Sequence, residues 1–329
     1  MNDAELSDVE IDGYISQIRR PAAFMMRTKE QTDEGLPGCF FGGKPTLPAD
    51  IEWPVFNCPI PKIDIPMHFL FQVNLKYVPK SVDFPDFPDI GTLFVFVEPM
   101  IAPEYFRTPL RPLYTGQGAR VIYVPEGTEN VPPRAAPALP DLTLDHGGDV
   151  GALSDDLTEY YERMRDGYGV TGASGLHRWP MFFVVGDTYP QLGFLRGQDP
   201  SFDVSKLENM KFAVTLDEKI SDIEAKCYTY GGKTKNDIST QVVPHHMFGA
   251  SNTQLFPSKA LQQKRAISRP RYEGMPYLTQ DHVALFQIIG LDEEIGYEYL
   301  QQYPISFWIH RDELAAGNFS NVQVWEEII

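Results

Sequence analysis

The chain has 329 residues, 43% hydrophobic and 22% charged, enough apolar side chain for a sizeable core in one large domain or two ordinary ones. Lysine and arginine total 28 against 45 acidic residues, a formal net charge of −17. That field repels phosphate backbones and anionic membranes, so nucleic acid and membrane are excluded as partners and a basic protein is favoured.

The 28 prolines and 26 glycines are spread throughout and predict many short elements. Residues 4–20 read as a helix, with Leu6, Val9, Ile11, Tyr14, Ile15 and Ile18 at helical spacing. Asp3 or Ser7 can cap it, and Pro21 stops it. Ala22–Thr28 reads as a strand, and Lys29–Gly38 as a loop. In Phe41-Gly42-Gly43-Lys44-Pro45-Thr46-Leu47-Pro48, two glycines followed by two prolines force a turn and an extended exit. Four prolines over 54–66 disfavour any helix after Trp53. Phe69–Leu75 and Gly91–Val97 are apolar strands, and Arg120–Val124 is a third. Pro125–Pro140 is rich in proline and alanine and marks the best boundary between halves, 1–140 and 141–329, of a single domain 1–329.

A short helix is predicted from Ser154, with Leu157, Tyr160, Tyr161 and Met164 on one face. Trp179–Val185 reads as a buried strand, punctuated by Gly186-Asp187 and Tyr189-Pro190. Phe212–Leu216 reads as a strand, and Ala225–Tyr230 alternates as another. Pro244-His245-His246-Met247-Phe248-Gly249 reads as a turn. Lys259–Arg271 holds a cationic cluster, expected to be a solvated loop. The chain closes with strand 283–289, strand 305–309, a capped turn at Asp312-Glu313-Leu314 ending near Gly317, and strand Val322–Trp325.

One pattern recurs. His68–Leu75 carries Phe71-Gln72 inside an apolar run and is followed by a second strand. Val283–Leu291 carries Phe286-Gln287 and is followed likewise. The expected architecture is therefore α+β and antiparallel-sheet-rich, with an internal structural duplication into two related halves. A buried primary amide must find partners, so Gln72 and Gln287 are expected to be buried and hydrogen-bonded.

Motifs for catalysis are weak. Gly42-Gly43-Lys44 and Gly231-Gly232-Lys233-Thr234 both lack the GxxxxGK[ST] frame of a phosphate loop. No GxSxG elbow occurs. Cys39, Cys58 and Cys227 form no CxxC pair, which excludes a zinc site built from cysteines. They read as small buried hydrophobes, reduced as in a cytoplasm. No metal and no cofactor is expected. His245-His246 is the most inviting site, but adjacent strand histidines point to opposite faces. Asp281-His282 and His310-Arg311-Asp312 could join a site only through folding. The acidic Met1–Glu5 lacks the basic-then-apolar pattern of a signal peptide. No run reaches the roughly 18–20 apolar residues of a membrane helix.

Two sets of residues resemble a known family. The first is Phe41, Gly42, Gly43, Pro45, Leu47 and Pro48, then Trp53-Pro54, then Gln72, Asn74 and Leu75. The second is His246, Gly249, Gln254 and Gln287, with Phe307–Leu314, Asn318 and Phe319 at the end. Together they frame roughly 300 residues that resemble the YwqG-like family of bacterial domains of unknown function, DUF1963. Where that family usually has Trp-Gly-Asp-x-Gly, this chain has Tyr299–Pro304 and no aspartate, so any chemistry served by that carboxylate is in doubt here. The resemblance implies an α+β fold with an internal repeat and supplies no reaction. Some members are encoded near secreted toxins, which implies an immunity-type role.

The expected function is thus a cytoplasmic, non-catalytic binding protein for a basic protein partner. The candidate binding residues are Gly42, Gly43, Trp53, Gln72, His246, Gln254 and Gln287. The rival is a hydrolase or metal-dependent enzyme centred on His246.

Overall fold

The structure is a computed structural model, and it describes residues 8–27, 35–58, 63–97, 119–138, 178–190, 205, 210–227, 245–250, 281–288 and 305–326. It is α+β, dominated by one ten-stranded sheet in which every strand pair is antiparallel. In chain order the strands are β1 (Arg20–Arg27), β2 (Phe40–Phe41), β3 (Val55–Cys58), β4 (Ile63–Pro66), β5 (His68–Asn74), β6 (Thr92–Val97), β7 (Ala119–Val124), β8 (Trp179–Thr188), β9 (His246–Phe248), β10 (His282–Ile288), β11 (Ile305–His310) and β12 (Gln323–Glu326). Across the sheet the order is β12-β11-β10-β9-β1-β8-β2-β5-β6-β7, and β3-β4 form a separate hairpin.

The sheet's two faces carry different cores because side chains alternate along each strand. Phe41, Phe71, Val95, Met247, Phe286 and Phe307 belong to one core that spans β5, β6, β10 and β11. Phe40, Phe69, Phe94 and Phe96 belong to a second core, closed by Trp53, Phe56 and Met67 from the segment before β5. Alternation breaks once in β5 and once in β10. Register shifts fall between Phe69 and Phe71 and between Ala284 and Phe286. Leu70 and Phe71 therefore both enter the first core, as do Leu285 and Phe286. A bulge of this kind adds a residue on one strand and sharpens its bend.

Helix α1 (Asp8–Ile18) buries Ile11, Tyr14, Ile15 and Ile18, whereas Val9 is 80% exposed and lies off the buried stripe. It packs on α2 (Met210–Cys227), with Tyr14 and Phe212 edge to face at 5.1 Å. Lys219 of α2 bridges Asp8 and Asp12 of α1. Helix α3 (Arg311–Ala315) is capped by His310, whose Nδ1 accepts from Asp312 N.

Several readings of the sequence need correction. Phe212–Leu216 and Ala225–Cys227 are helical, not strands. Phe212, Leu216 and Ile220 are buried at four-residue spacing, a helical stripe longer than the five-residue window that suggested a strand. His246–Phe248 is a strand rather than a turn, held between β1 and β10. β8 runs on through Gly186 and Asp187, and Val185 is 50% exposed, so the strand is not buried throughout. β1 begins at Arg20, with Pro21 placed before the pairing with β9 starts at Ala22. The prolines of 54–66 do prevent a helix, but the segment makes the β3-β4 hairpin. The caps Asp3 and Ser7, the helix after Ser154, Tyr228–Gly232 and Lys259–Arg271 lie outside the described residues.

Candidate functional site

The Gly42-Gly43 turn follows directly from β2. Both glycines have positive φ, 61° and 67°, a region open to glycine at little cost. Gly42 N donates to Leu70 O at 2.7 Å, tying the turn to the bulged residue of β5. Pro45 to Leu47 then runs back over the sheet, where Gln72 receives it. Gln72 is fully buried. Its Oε1 accepts from Thr46 N at 2.8 Å, and its Nε2 donates to Gly38 O at 3.1 Å and to Thr46 Oγ1 at 2.9 Å. The Thr46 hydroxyl continues to Thr128 Oγ1 at 2.9 Å, and Thr128 donates to Thr92 Oγ1 at 3.1 Å. One amide thus closes both ends of the 38–46 loop, and a threonine relay joins it to the loop after β7.

Asn74, two residues on, acts beside it. Its Nδ2 donates to Glu129 Oε1 at 2.6 Å, and its Oδ1 accepts from Lys76 N at 3.1 Å. Cys39 lies between these strands, with Sγ 3.7 Å from Asn74 O. Burial pushes its thiol up to about 12, against a partial opposing effect of the Asn74 backbone. It is a buried thiol, as expected for a small hydrophobe. The side chains of Cys58 and Cys227 lie outside the described set. Trp53 is buried and donates from Nε1 to Met67 O at 2.9 Å, while Arg134 stacks over its ring at 5.9 Å.

The histidine pair lies on β9 and just before it. His245 faces Phe41 and His246 faces Phe24, on opposite sides of the sheet. His246 Nδ1 donates to Phe248 O at 2.6 Å. That bond closes a turn in which Phe248 and Gly249 take φ of 61° and 80°. Desolvation, the larger effect, and the neighbouring His245 together pull the His246 pKa down to about 4 despite that hydrogen bond. The ring is therefore neutral at pH 7. Gln287 is buried and sits opposite His246 on one side and Ser306 on the other. Gln254 lies outside the described residues.

Sequence reasoning singled out Gln72 but not Thr46, Thr128 and Thr92, which complete its network, nor Glu129, which meets Asn74 beside it. Thr46 stood within the Gly-Gly-x-Pro-x-Leu-Pro motif and could have been noticed there. Thr128 and Glu129 carry no local signal, because only folding brings them to β5. Among the described residues, no three histidine, cysteine, aspartate or glutamate side chains converge as metal ligands. No helix among them is long and apolar enough to cross a membrane.

The family model described as domain of unknown function DUF1963 matches residues 39–326. The chain belongs to the DUF1963 family. No curated protein matches it significantly. The DUF1963 match begins at Cys39, one residue before β2, and ends with β12. Helix α1 and β1 lie outside the DUF1963 match, yet β1 pairs with both β8 and β9 near the centre of the sheet.

Proposed function

We propose that this DUF1963 chain is a non-catalytic cytoplasmic binding protein whose partner is a basic protein, with an immunity-type role as one concrete form. The observation that carries the reading is the net charge of −17. The candidate residues add support by where their polar atoms go. Gln72 and Trp53 bond this chain's own backbone, and His246 closes its own turn. Recognition then falls to the surface, where Asp83, Asp86 and Asp89 stand exposed between β5 and β6 beside the fully exposed Val82. The alternative, a hydrolase or metal-dependent enzyme centred on His246, needs a ring that meets substrate, and this ring is buried and neutral.

We also propose that the single domain 1–329 is built from two related halves, 1–140 and 141–329. Setting β1 against β8, β2 against β9, β5 against β10, β6 against β11 and β7 against β12 maps the strand order onto its own reverse. The bulge falls two residues before Gln72 and two before Gln287. Phe40-Phe41 followed by two positive-φ residues corresponds to His246-Met247 followed by two more. These agreements favour duplication over coincidence.

The charge reading is tested by immobilising the full-length chain and passing lysate over it at low ionic strength. A basic protein retained there and released at roughly 1 M salt, where the Debye length falls to about 3 Å, is the expected result. Retention of nothing, or of a partner indifferent to salt, overturns it.

A further inference from the structure

We propose that His282 and His310 form a two-histidine site for a divalent transition-metal ion of the zinc or copper class, with the Gln323 amide as a third donor. The two histidines are far apart in the sequence and match no ligand-spacing motif. The antiparallel register of β10 and β11 makes them direct partners, at the end of the pair away from its 289–304 connection. Directly opposed residues send their side chains from the same face of a sheet. Here the ring centroids lie 5.4 Å apart and the rings are nearly perpendicular, at 87°. With metal–nitrogen bonds of about 2.1 Å and a tetrahedral angle, two imidazoles sharing one ion have centroids about 5 Å apart. The pair is thus already at bridging distance.

The surrounding groups suit an ion. The Gln323 amide nitrogen is 3.4 Å from His282 Nε2, long for a hydrogen bond. It matches the roughly 3.4 Å between two donors of one tetrahedral ion. Gln323 Oε1 is buried and, among the described residues, accepts no hydrogen bond. A half-turn of the amide brings that oxygen to the same place. His310 Nδ1 lies 3.7 Å from Asp312 Oδ2. In the metal-free cap His310 Nδ1 accepts from Asp312 N at 3.3 Å, so metal binding exchanges that bond: with hydrogen on Nδ1 the ring donates to the carboxylate and turns the Nε2 lone pair to the metal, the usual orienting arrangement for a histidine ligand. The His310 side chain is 33% exposed, which leaves an entry path, and the neighbouring carboxylate of Asp312 lowers the cost of bringing a dication there. Imidazole-rich sites favour zinc and copper over magnesium or calcium. Two histidines and one amide leave the remaining coordination to water, so binding weaker than at a four-ligand site is expected.

The test is calorimetric titration of the full-length protein with zinc chloride alone, near pH 7.5. The expected result is one equivalent bound. His282→Asn and His310→Asn should each weaken binding about tenfold or more. Asparagine at 310 can still cap α3, so the metal-free fold should survive that change. In the unsubstituted protein, zinc should also shield His282 and His310 from diethylpyrocarbonate, read by peptide mass spectrometry. That measurement decides the matter if either variant fails to fold. Absence of binding up to about 1 mM zinc overturns the proposal. So does affinity unchanged in both folded variants, or shielding confined to other histidines.

Discussion

Phe71 of β5 and Phe286 of β10 meet edge to face, with ring centroids 5.1 Å apart and an interplanar angle of 82°. Five strand-to-strand steps separate β5 from β10, about 24 Å across a flat sheet at the usual strand spacing. The sheet must therefore curl until its two wings share one core. Strand twist begins that curl, and the bulges beside each phenylalanine sharpen it. Farther out, Tyr123 of β7 meets Phe319 at 5.0 Å, and Phe84 meets Phe248 at 5.2 Å, so aromatic contacts tie the wings together.

The Gln72 amide offers the sharpest test of the loop closure. Replacing it with leucine keeps the bulk but leaves Thr46 N and Gly38 O buried without their partner. Each stranded group costs roughly 1–3 kcal/mol. Urea unfolding of Gln72→Leu should show a stability loss of at least that order. A midpoint equal to that of the unsubstituted protein would mean the loop is held by other contacts.

Gly43 is constrained twice. Its φ of 67° is unfavourable for a side chain, and an added Cβ would lie 2.8 Å from Arg178 Cβ. Gly43→Val should therefore lose on the order of 1–3 kcal/mol from backbone strain before any clash is counted. Differential scanning calorimetry on the variant measures this, and an unchanged melting temperature would contradict the conformation described.

Acid should destabilise the protein through His246. Its folded pKa, about 4, lies below the value of about 6.5 expected when unfolded. Below pH 6.5 the unfolded chain takes up a proton that the folded ring refuses. The contribution is thus intact above pH 6.5 and falls away as the pH drops towards 4. The full loss is on the order of 3 kcal/mol. Unfolding free energies compared at pH 7 and pH 4.5 for the unsubstituted protein and His246→Asn should show a steeper decline in the former. Parallel declines would assign the acid sensitivity to carboxylates elsewhere.

Cys39 should be chemically silent while the fold is intact. Its thiol is pushed up to about 12 and is 1% exposed, and only a thiolate alkylates readily. Iodoacetamide treatment near pH 8, followed by peptide mass spectrometry, should leave Cys39 unmodified in native protein and modified in denaturant. Rapid native labelling would show that the strand pair opens.

The sequence by itself determined the strands that are most apolar. β5, β6, β7, β10 and β11 were legible within a residue or two because each is a short run of large aliphatic and aromatic residues between turn signals. The turn at Gly42-Gly43 was legible because two adjacent glycines make positive φ inexpensive. The burial of Gln72 was legible because it interrupts an otherwise continuous apolar run, Phe69 to Val73, and a run without alternation marks a strand covered on both faces. Tertiary structure decided the rest. Phe212–Leu216 became helix because its buried positions continue to Ile220 against α1, a stripe that local alternation does not reveal. His246 became a strand residue because β1 and β10 supply hydrogen-bonding partners on both sides of a segment whose own residues suggested a turn. The partners of Gln72 come from Gly38, Thr46 and, through the threonine relay, from Thr128, contacts whose sequence separations only chain closure can bring together. The juxtaposition of His282 with His310 depends on strand register, and the meeting of Phe71 with Phe286 depends on the curvature of the whole sheet. Neither is a property of any local stretch of chain.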